Sequence, residues 1–205
     1  MLAQRNCQGR SNYSFKGNAD VSDFQTIIRR RVPLIQALGA MQASDAIEAE
    51  VQELTADLFR EDEMGAVVRA HIRIENLLIQ TIECLLPNPK HLKKLNLDYD
   101  GCVTLALALG LNEQFGPPFR ALGKLRNDFA HRLDTSLSKQ VVANLYDCLG
   151  PDDKGQVQAC FKRIKYENEE TRHVKRFANL EPGDQFKLIA ITLWAAVRAA
   201  VKLHS

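Results

Sequence analysis

The chain has 205 residues, of which 45% are hydrophobic and 25% are charged, and its formal net charge is +2. This composition is typical of a globular protein and excludes a wholly disordered chain. The length is enough for one well-buried domain, or for a domain with an arm. No apolar run reaches the roughly 18 residues that a transmembrane helix needs, so we expect no contact with a membrane.

The first part of the chain, residues 1–43, is predicted to be a basic arm followed by a helix over 23–42. Residues 1–31 carry six Lys or Arg against two Asp. The polar stretch 1–17 lacks the apolar core of a secretory signal peptide. The five cysteines are odd in number and form no CxxC pair, which argues against a disulfide framework and a zinc knuckle. We therefore expect a cytoplasmic protein.

Residues 44–205 are predicted to form a single helical domain that begins with an acidic segment. Residues 44–63 carry eight acids against Arg60 alone. The apolar residues of this segment fall on one helical stripe, which predicts a helix. Its acids are either a solvated face or a surface that meets a basic partner. We expect that partner to be the run Arg29–Arg31 or the face formed by residues 120–132.

The stretch from 64 to 86 has the most regular pattern in the chain. Its apolar residues recur at intervals of three and four, which predicts a core-facing helix of about six turns. Pro87-Asn88-Pro89 ends this helix. The apolar run Cys102–Leu109 fits either a buried strand or a short buried helix, and its alanines and the Gly110 that closes it favour the helix.

The second half of the chain continues the helical pattern. Gly116-Pro117-Pro118 opens a helix that reaches about His131. Short helices are predicted over 139–149 and 154–166, and a final helix begins at Pro182. No stretch alternates strictly between apolar and polar residues. The sequence therefore predicts an all-α, multi-helix bundle of six to eight helices.

One group of residues at the end of the helix over 117–131 carries chemistry. Asn127 and His131 are four residues apart and share a helical face, which the long side chain of Arg126 can reach. A guanidinium holds phosphate through its planar fork, an imidazole moves a proton near neutral pH, and an amide orients a neighbour. The sequence has no Walker loop, GxGxxG, HExxH or GxSxG motif and no cluster with metal-binding spacing, so we expect no cofactor and no metal.

The hexapeptide Arg126–His131 resembles the R-(N/H/D)-x-x-x-H motif of the HEPN superfamily (higher eukaryotes and prokaryotes nucleotide-binding domains). The order of the helix over 67–86, the run Thr104–Leu111 and the helix over 122–131 is similar to HEPN-like domains and also to the mannitol operon repressor family. Together these similarities cover about residues 60–150.

The resemblance implies a metal-independent endoribonuclease of the toxin or defence type that acts on RNA as a homodimer. In that enzyme His131 is a general acid or base, Arg126 stabilises charge on the scissile phosphate, and Asn127 orients one of them. Two alternatives stay open. One is a non-catalytic regulator of transcription like the mannitol operon repressor, which acts on a protein partner. The other is an antitoxin or immunity protein whose contact surface is the segment 44–63.

A purely structural interpretation competes with these. Asn127 and His131 would then hydrogen-bond the end of a neighbouring helix, and Arg126 would pair with an acid.

Other polar residues are also candidates for the site because of their types and spacing. His71, with Glu75 one turn later, is either a satisfied core histidine or a partner of the catalytic group, with Glu75 orienting an imidazole. The bases predicted to contact phosphate are Arg120, Lys124 and Arg132.

Two further histidines and the tryptophan each have two possible roles. His91 and His173 lie among lysines and arginines and are either solvated or phosphate contacts. Trp194, the only tryptophan, is expected in the core or at a dimer contact. The apolar stripes over 64–86, 117–131 and 182–203 exceed what one small bundle must cover, which also predicts a symmetric homodimer.

Overall fold

The computed structural model describes residues 45–132, 135–167 and 176–202. The basic arm and the predicted helix over 23–42 lie outside these residues. The described chain is all-α, as predicted, and has no strand. Its seven α-helices are α1 (Asp45–Arg60), α2 (Glu63–Leu85), α3 (Tyr99–Ala108), α4 (Gly116–His131), α5 (Lys139–Asp147), α6 (Pro151–Glu167) and α7 (Pro182–Lys202). Three 3-10 helices connect them at Pro89–Leu95, Glu113–Phe115 and Phe177–Asn179.

Side chains that cap the helices explain where several of them begin. The Asp62 carboxylate accepts a hydrogen bond from the Gly65 N–H at 2.7 Å at the start of α2. Asp98 does the same for the Gly101 N–H at 2.8 Å at the start of α3, and Ser138 caps α5. Each cap satisfies a backbone donor that the first turn leaves open. The run from 102 to 109 is therefore largely helical, as its alanines predicted.

Helices α2 and α7 form the centre of the bundle. α2 packs against α1, α3, α4 and α7, whereas α7 packs against α1, α2, α5 and α6. α7 is buried on nearly every side, which is the pattern of a central helix. Trp194 on α7 is 5% exposed and belongs to the core. The buried hydrophobic residues of α7 are Phe186, Leu188, Ile189, Ala190, Ile191, Leu193, Trp194 and Val197.

The three long apolar stripes are buried within a single chain. Val67 on α2, Phe119 on α4 and Phe186 on α7 are each 0% exposed and belong to one core. These stripes therefore give no support to a dimer, contrary to the argument from their width. No helix in the described part of the chain is both long and apolar enough to cross a bilayer.

Candidate functional site

The rotation of α4 is fixed by its core face, and this rotation exposes the motif. The buried side chains Phe119, Leu122, Leu125 and Phe129 hold one face of the helix against the bundle. Asn127 and His131 leave the opposite face and are exposed. Because side chains three and four residues apart share a face, Arg120, Lys124, Asn127 and His131 form one outward row.

Arg126 is also exposed, but it leaves α4 on a different side. At about 100° per residue, Arg126 and His131 point roughly 140° apart around the helix axis, and Asn127 lies between them. The Nη1 of Arg126 donates a hydrogen bond to Oδ1 of Asn127 at 3.1 Å. The amide oxygen of Asn127 therefore holds one nitrogen of the Arg126 guanidinium at the surface of α4.

The motif residues do not hold neighbouring elements in place. Within the described residues, neither Arg126 nor His131 forms an ion pair with a carboxylate. The C-terminal end of α4 is closed by its own chain, because the Arg132 N–H and the Thr135 hydroxyl both donate to the Asp128 carbonyl oxygen. The end of α4 is therefore held by Arg132 and Thr135, and not by the motif residues.

The three predicted phosphate contacts differ in their surroundings. Arg120 links α4 to α3, since its Nε donates to Asp100 at 2.9 Å and its Nη2 donates to Thr104 at 3.2 Å. Lys124 and Arg132 are exposed beside the motif. Arg120 thus has a structural role, whereas Lys124 and Arg132 are open to an anion.

His71 lies on α2, buried next to the motif helix. The residue is 6% exposed, and its Nδ1 is 3.9 Å from the Glu75 carboxylate. Burial, followed by the positive charge of Arg126, lowers the pKa of His71 to about 4. The imidazole is therefore neutral near pH 7. His71 and Glu75 lie one turn apart on α2, and Arg126 on α4 adds a positive charge that acts on the His71 ring.

Tyr99, at the start of α3, connects this neighbourhood to α4. Its ring centroid lies 4.1 Å from that of His71. A Cβ on Gly123 would lie only 2.8 Å from the Tyr99 ring, so α4 can approach this closely only with glycine there. The Tyr99 hydroxyl is buried without a hydrogen-bond partner among the described groups. Its burial, with the nearby Glu75 carboxylate, raises the pKa of Tyr99 above its usual range.

The sequence analysis missed Tyr99 and Gly123. A glycine inside an otherwise regular helix costs stability and so signals a close contact, which was the one available sign. Nothing in the sequence identified its partner as Tyr99. Burial, with the charges of Glu75 and Asp98, also raises the pKa of the Cys102 thiol, which makes this cysteine an inert core residue.

The acidic segment 44–63 serves the fold. It is helical as predicted, but its acids pair with α2 and α7 in place of the 120–132 face. Arginines of those helices bind Glu50, Glu53, Asp57 and Glu61, Asp62 caps α2, and Glu63 accepts from the Leu137 N–H at 2.8 Å. These six acids all have a partner among the described residues, which weakens the antitoxin alternative.

Two further histidines were predicted as solvated residues or phosphate contacts. His91 is exposed on the 3-10 helix Pro89–Leu95, and His173 lies outside the described residues. No group of three His, Cys, Asp or Glu in the described ranges is placed to hold a metal ion.

A groove of about 570 Å³ also lies away from the motif. It runs between α5, α6 and the start of α7, and it is lined by aromatic and basic side chains. These include Tyr146, Phe161, Lys162, Arg176 and Phe177. The groove contains no residue of α4 and is therefore separate from the motif.

No protein-family model, curated protein or solved structure matches this chain. The resemblance noted above therefore depends on the hexapeptide Arg126–His131 and on the order of the helices. The function therefore has to be inferred from the chemistry and placement of the side chains of this chain.

Proposed function

We propose that the chain is a metal-independent endoribonuclease of the HEPN type, with Arg126, Asn127 and His131 at its active site. One observation carries the proposal: the three polar side chains are exposed together, and Arg126 is bonded to Asn127 in place of a structural acid. Exposed polar groups that do not stabilise their own fold are available to a ligand.

The chemistry requires one proton-transfer group and one group that binds phosphate. The ribose 2′ oxygen attacks the phosphorus, and the bond from phosphorus to the 5′ oxygen breaks. The products are a 2′,3′-cyclic phosphate and a 5′-hydroxyl, so the proton lost by one oxygen balances the proton gained by the other. His131 transfers one of these protons, while Arg126, held by Asn127, stabilises charge on the phosphate.

One imidazole supplies one proton transfer at a time, which favours a pair of motifs around one scissile bond. A homodimer with two facing α4 helices would supply the second imidazole and a second guanidinium. Lys124 and Arg132 would extend the positive surface along the RNA backbone. Light scattering should then give twice the chain mass, and a strictly monomeric wild type would require water or another group for the second transfer.

The test of the proposal is His131→Ala in an RNA cleavage assay that contains EDTA. We expect cleavage to fall by at least about 10²-fold, since positioned acid-base groups contribute about 10²–10⁴. An exposed histidine at a helix end contributes little to folding, so the melting temperature should stay close to that of the wild type. The wild-type products should end in a 2′,3′-cyclic phosphate.

His91→Ala is the matched control, because His91 is also exposed but lies on the 3-10 helix Pro89–Leu95 and not on α4. It should cleave like the wild type. Equal loss in both variants, or full activity in His131→Ala, would remove His131 from the mechanism.

A non-catalytic regulator that binds a protein partner is the second candidate. The observation that favours it is the groove lined by Tyr146, Phe161 and Phe177, because aromatic side chains are enriched at protein interfaces. A wild type that cleaves no RNA under any condition would favour this alternative.

A further inference from the structure

The groove between α5, α6 and the 3-10 helix Phe177–Asn179 has the size of a small-molecule site. Its volume of about 570 Å³ falls within the range of about 300–1,000 Å³ that is typical of ligand pockets. It contains no residue of α4, so a ligand bound there would lie outside the proposed active site. The groove is therefore a second place on the molecule where binding can be sought.

Three aromatic rings form the apolar surface of the groove. The Phe177 ring contacts the other two, with its centroid 5.3 Å from that of Tyr146 and 6.2 Å from that of Phe161. Phe161 and Phe177 are each 5% exposed, and Tyr146 is half-buried. Because the rings pack against one another, they offer a rigid apolar surface to the uncharged part of a ligand.

Hydrogen bonds between the surrounding elements hold the groove in shape. Gln158 on α6 donates from Nε2 to the Tyr146 hydroxyl on α5 at 3.1 Å. Gln185 at the start of α7 is 7% exposed, and its Nε2 donates to the Leu180 carbonyl oxygen at 2.8 Å. These bonds join α5 to α6 and α7 to the segment before it. The groove is therefore formed before a ligand arrives, as most binding pockets are.

Two cations line the groove without a carboxylate partner. Lys162 on α6 and Arg176, next to the 3-10 helix, are both exposed, and neither forms an ion pair with any residue that the structure describes. One carboxylate, that of Asp147, lines the same groove. By contrast, Arg73 and Arg198 bind acids of α1. The groove therefore combines an excess of positive charge with an apolar surface.

We propose that this groove binds a small organic anion that carries one apolar group, with Lys162 and Arg176 holding the anionic group and the three rings contacting the apolar group. A guanidinium binds a carboxylate or a phosphate through its planar fork, and a lysine ammonium adds a point charge. The apolar group gains free energy by leaving water at the aromatic surface. An exposed ion pair alone contributes little, so tight binding requires both parts of the ligand.

Isothermal titration calorimetry of the full chain with four probes is the direct test. Phenyl phosphate and benzoate combine a charge with a ring, and their comparison shows whether the groove prefers phosphate or carboxylate. Inorganic phosphate has only the charge, and benzyl alcohol has only the ring. We expect at least one aromatic anion to bind about tenfold more tightly than either of these. No binding of either aromatic anion, or equal binding of inorganic phosphate or benzyl alcohol, would overturn the proposal.

Charge-removing variants place the probe in the groove. Lys162→Gln and Arg176→Gln should each weaken binding of the aromatic anion about five- to tenfold, because each removes a charged donor. The loss should be smaller at high salt. Lys93→Gln is the matched control, since Lys93 is an exposed lysine on the 3-10 helix Pro89–Leu95, and it should bind like the wild type. Wild-type affinity in both groove variants would overturn the proposal.

Ala143 allows the charge of the groove to be changed without removal of a native contact. It is exposed on α5 and lines the groove, and both glutamate and arginine are good helix formers. Ala143→Glu should weaken binding of the aromatic anion and Ala143→Arg should strengthen it, each by about threefold or more. Equal affinities in the two variants would contradict an electrostatic role for this groove.

Arg126→Gln separates the groove from the proposed active site. It should lower RNA cleavage and leave the affinity for the aromatic anion unchanged, because Arg126 does not line the groove. A probe that is released by Arg126→Gln and not by Lys162→Gln binds at the end of α4, which would overturn the groove site. The titration contains no RNA, so a chain that cleaves no RNA refutes the proposed function while this test still decides the inference.

Discussion

Arginines on two surfaces of this protein have opposite surroundings. On the surface between α1 and α2, Arg73 donates to Asp57 at 3.0 Å and also reaches Glu53, and Arg69 binds Glu61. At the end of α4, Arg126 binds the neutral amide of Asn127. All three are exposed or half-exposed. Exposure alone therefore does not distinguish Arg126 from Arg69 and Arg73, whereas the chemical identity of the partner does.

The acidic segment 44–63 also shows that the partner of a charged side chain decides its role. Before folding it is the most charged part of the chain and a natural candidate for a partner surface. In the fold, Glu50 accepts two hydrogen bonds from Arg198, at 2.6 Å and 2.9 Å, which join α1 to α7. Charge density in a sequence thus indicates where ion pairs can form, but not whether they form within the chain.

The largest contrast should come from replacing one arginine on each surface. We expect Arg126→Ala to lower kcat/KM for RNA by about 10²–10³-fold, the cost of losing a donor to a developing charge. Arg73→Ala should keep full activity and lose at most about 1 kcal/mol of stability. Arg126→Lys should restore RNA binding more than rate, since it keeps the charge but lacks the planar fork. Cleavage kinetics and urea unfolding on the same preparations check all three, and equal activity losses at Arg126 and Arg73 would erase the contrast.

Asp153 on α6 is a buried charge without the partner that the α1 acids have. It is 5% exposed, and its Oδ2 has no hydrogen-bond partner among the described groups. Burial, followed by the charge of Asp152, raises its pKa from 3.8 to about 6. Ionised Asp153 therefore destabilises the fold above pH 6, and this penalty disappears as the pH falls toward 3.8.

We expect Asp153→Asn to be more stable than the wild type by up to about 3 kcal/mol at pH 7.5, and by less than about 1 kcal/mol at pH 4. His71 acts in the opposite direction. The pKa of His71 in the folded chain, about 4, lies below the usual histidine value of 6.5. The stability that its neutral ring contributes is therefore complete above pH 6.5 and is lost as the pH falls to 4, because the unfolded chain binds the proton first. Asp153→Asn should therefore lose stability on acidification more steeply than the wild type, because only the wild type is relieved of the Asp153 charge as the pH falls. Urea unfolding at several pH values measures both slopes, and parallel curves would contradict the assignment of Asp153.

The pair between Arg198 and Glu50 should contribute more than the surface pairs of Arg69 and Arg73. Its arginine side chain is 19% exposed and donates from two nitrogens. Arg198→Ala should lower the free energy of unfolding by about 1–3 kcal/mol, with weak dependence on salt. Arg69→Ala, whose side chain is 44% exposed, should lose at most about 1 kcal/mol and less at high salt. Equal losses would show that burial does not matter here.

The smallest expected effect separates two tyrosine hydroxyls. The Tyr99 hydroxyl has no hydrogen-bond partner among the described groups, whereas the Tyr146 hydroxyl accepts from Gln158 at 3.1 Å. Tyr99→Phe should therefore change stability by less than about 0.5 kcal/mol or increase it, while Tyr146→Phe should lose about 1 kcal/mol. A clear loss in Tyr99→Phe would reveal a hydrogen bond to that hydroxyl in solution.

Local periodicity accounts for the parts of the fold that were predictable. The stripe of α2, the proline that follows it and the glycine after α3 set helix type and approximate bounds without reference to the rest of the chain. The same reasoning placed Asn127 and His131 on one helical face, and the structure shows that this face is exposed. It also predicted a dimer from the width of the apolar stripes, an argument that fails because the stripes of α2, α4 and α7 are buried in one chain.

The sequence by itself determined that this protein is all-α and that an arginine, an amide and an imidazole end an amphipathic helix. Only the tertiary structure decided which charges pair and which side chains α4 packs against. Helical period is a property of neighbouring residues, whereas ion pairs such as that of Glu50 with Arg198 join residues far apart in the chain. The stack of His71, Tyr99 and Gly123 exists only when three helices pack together, because burial and close approach arise from packing and not from residue order.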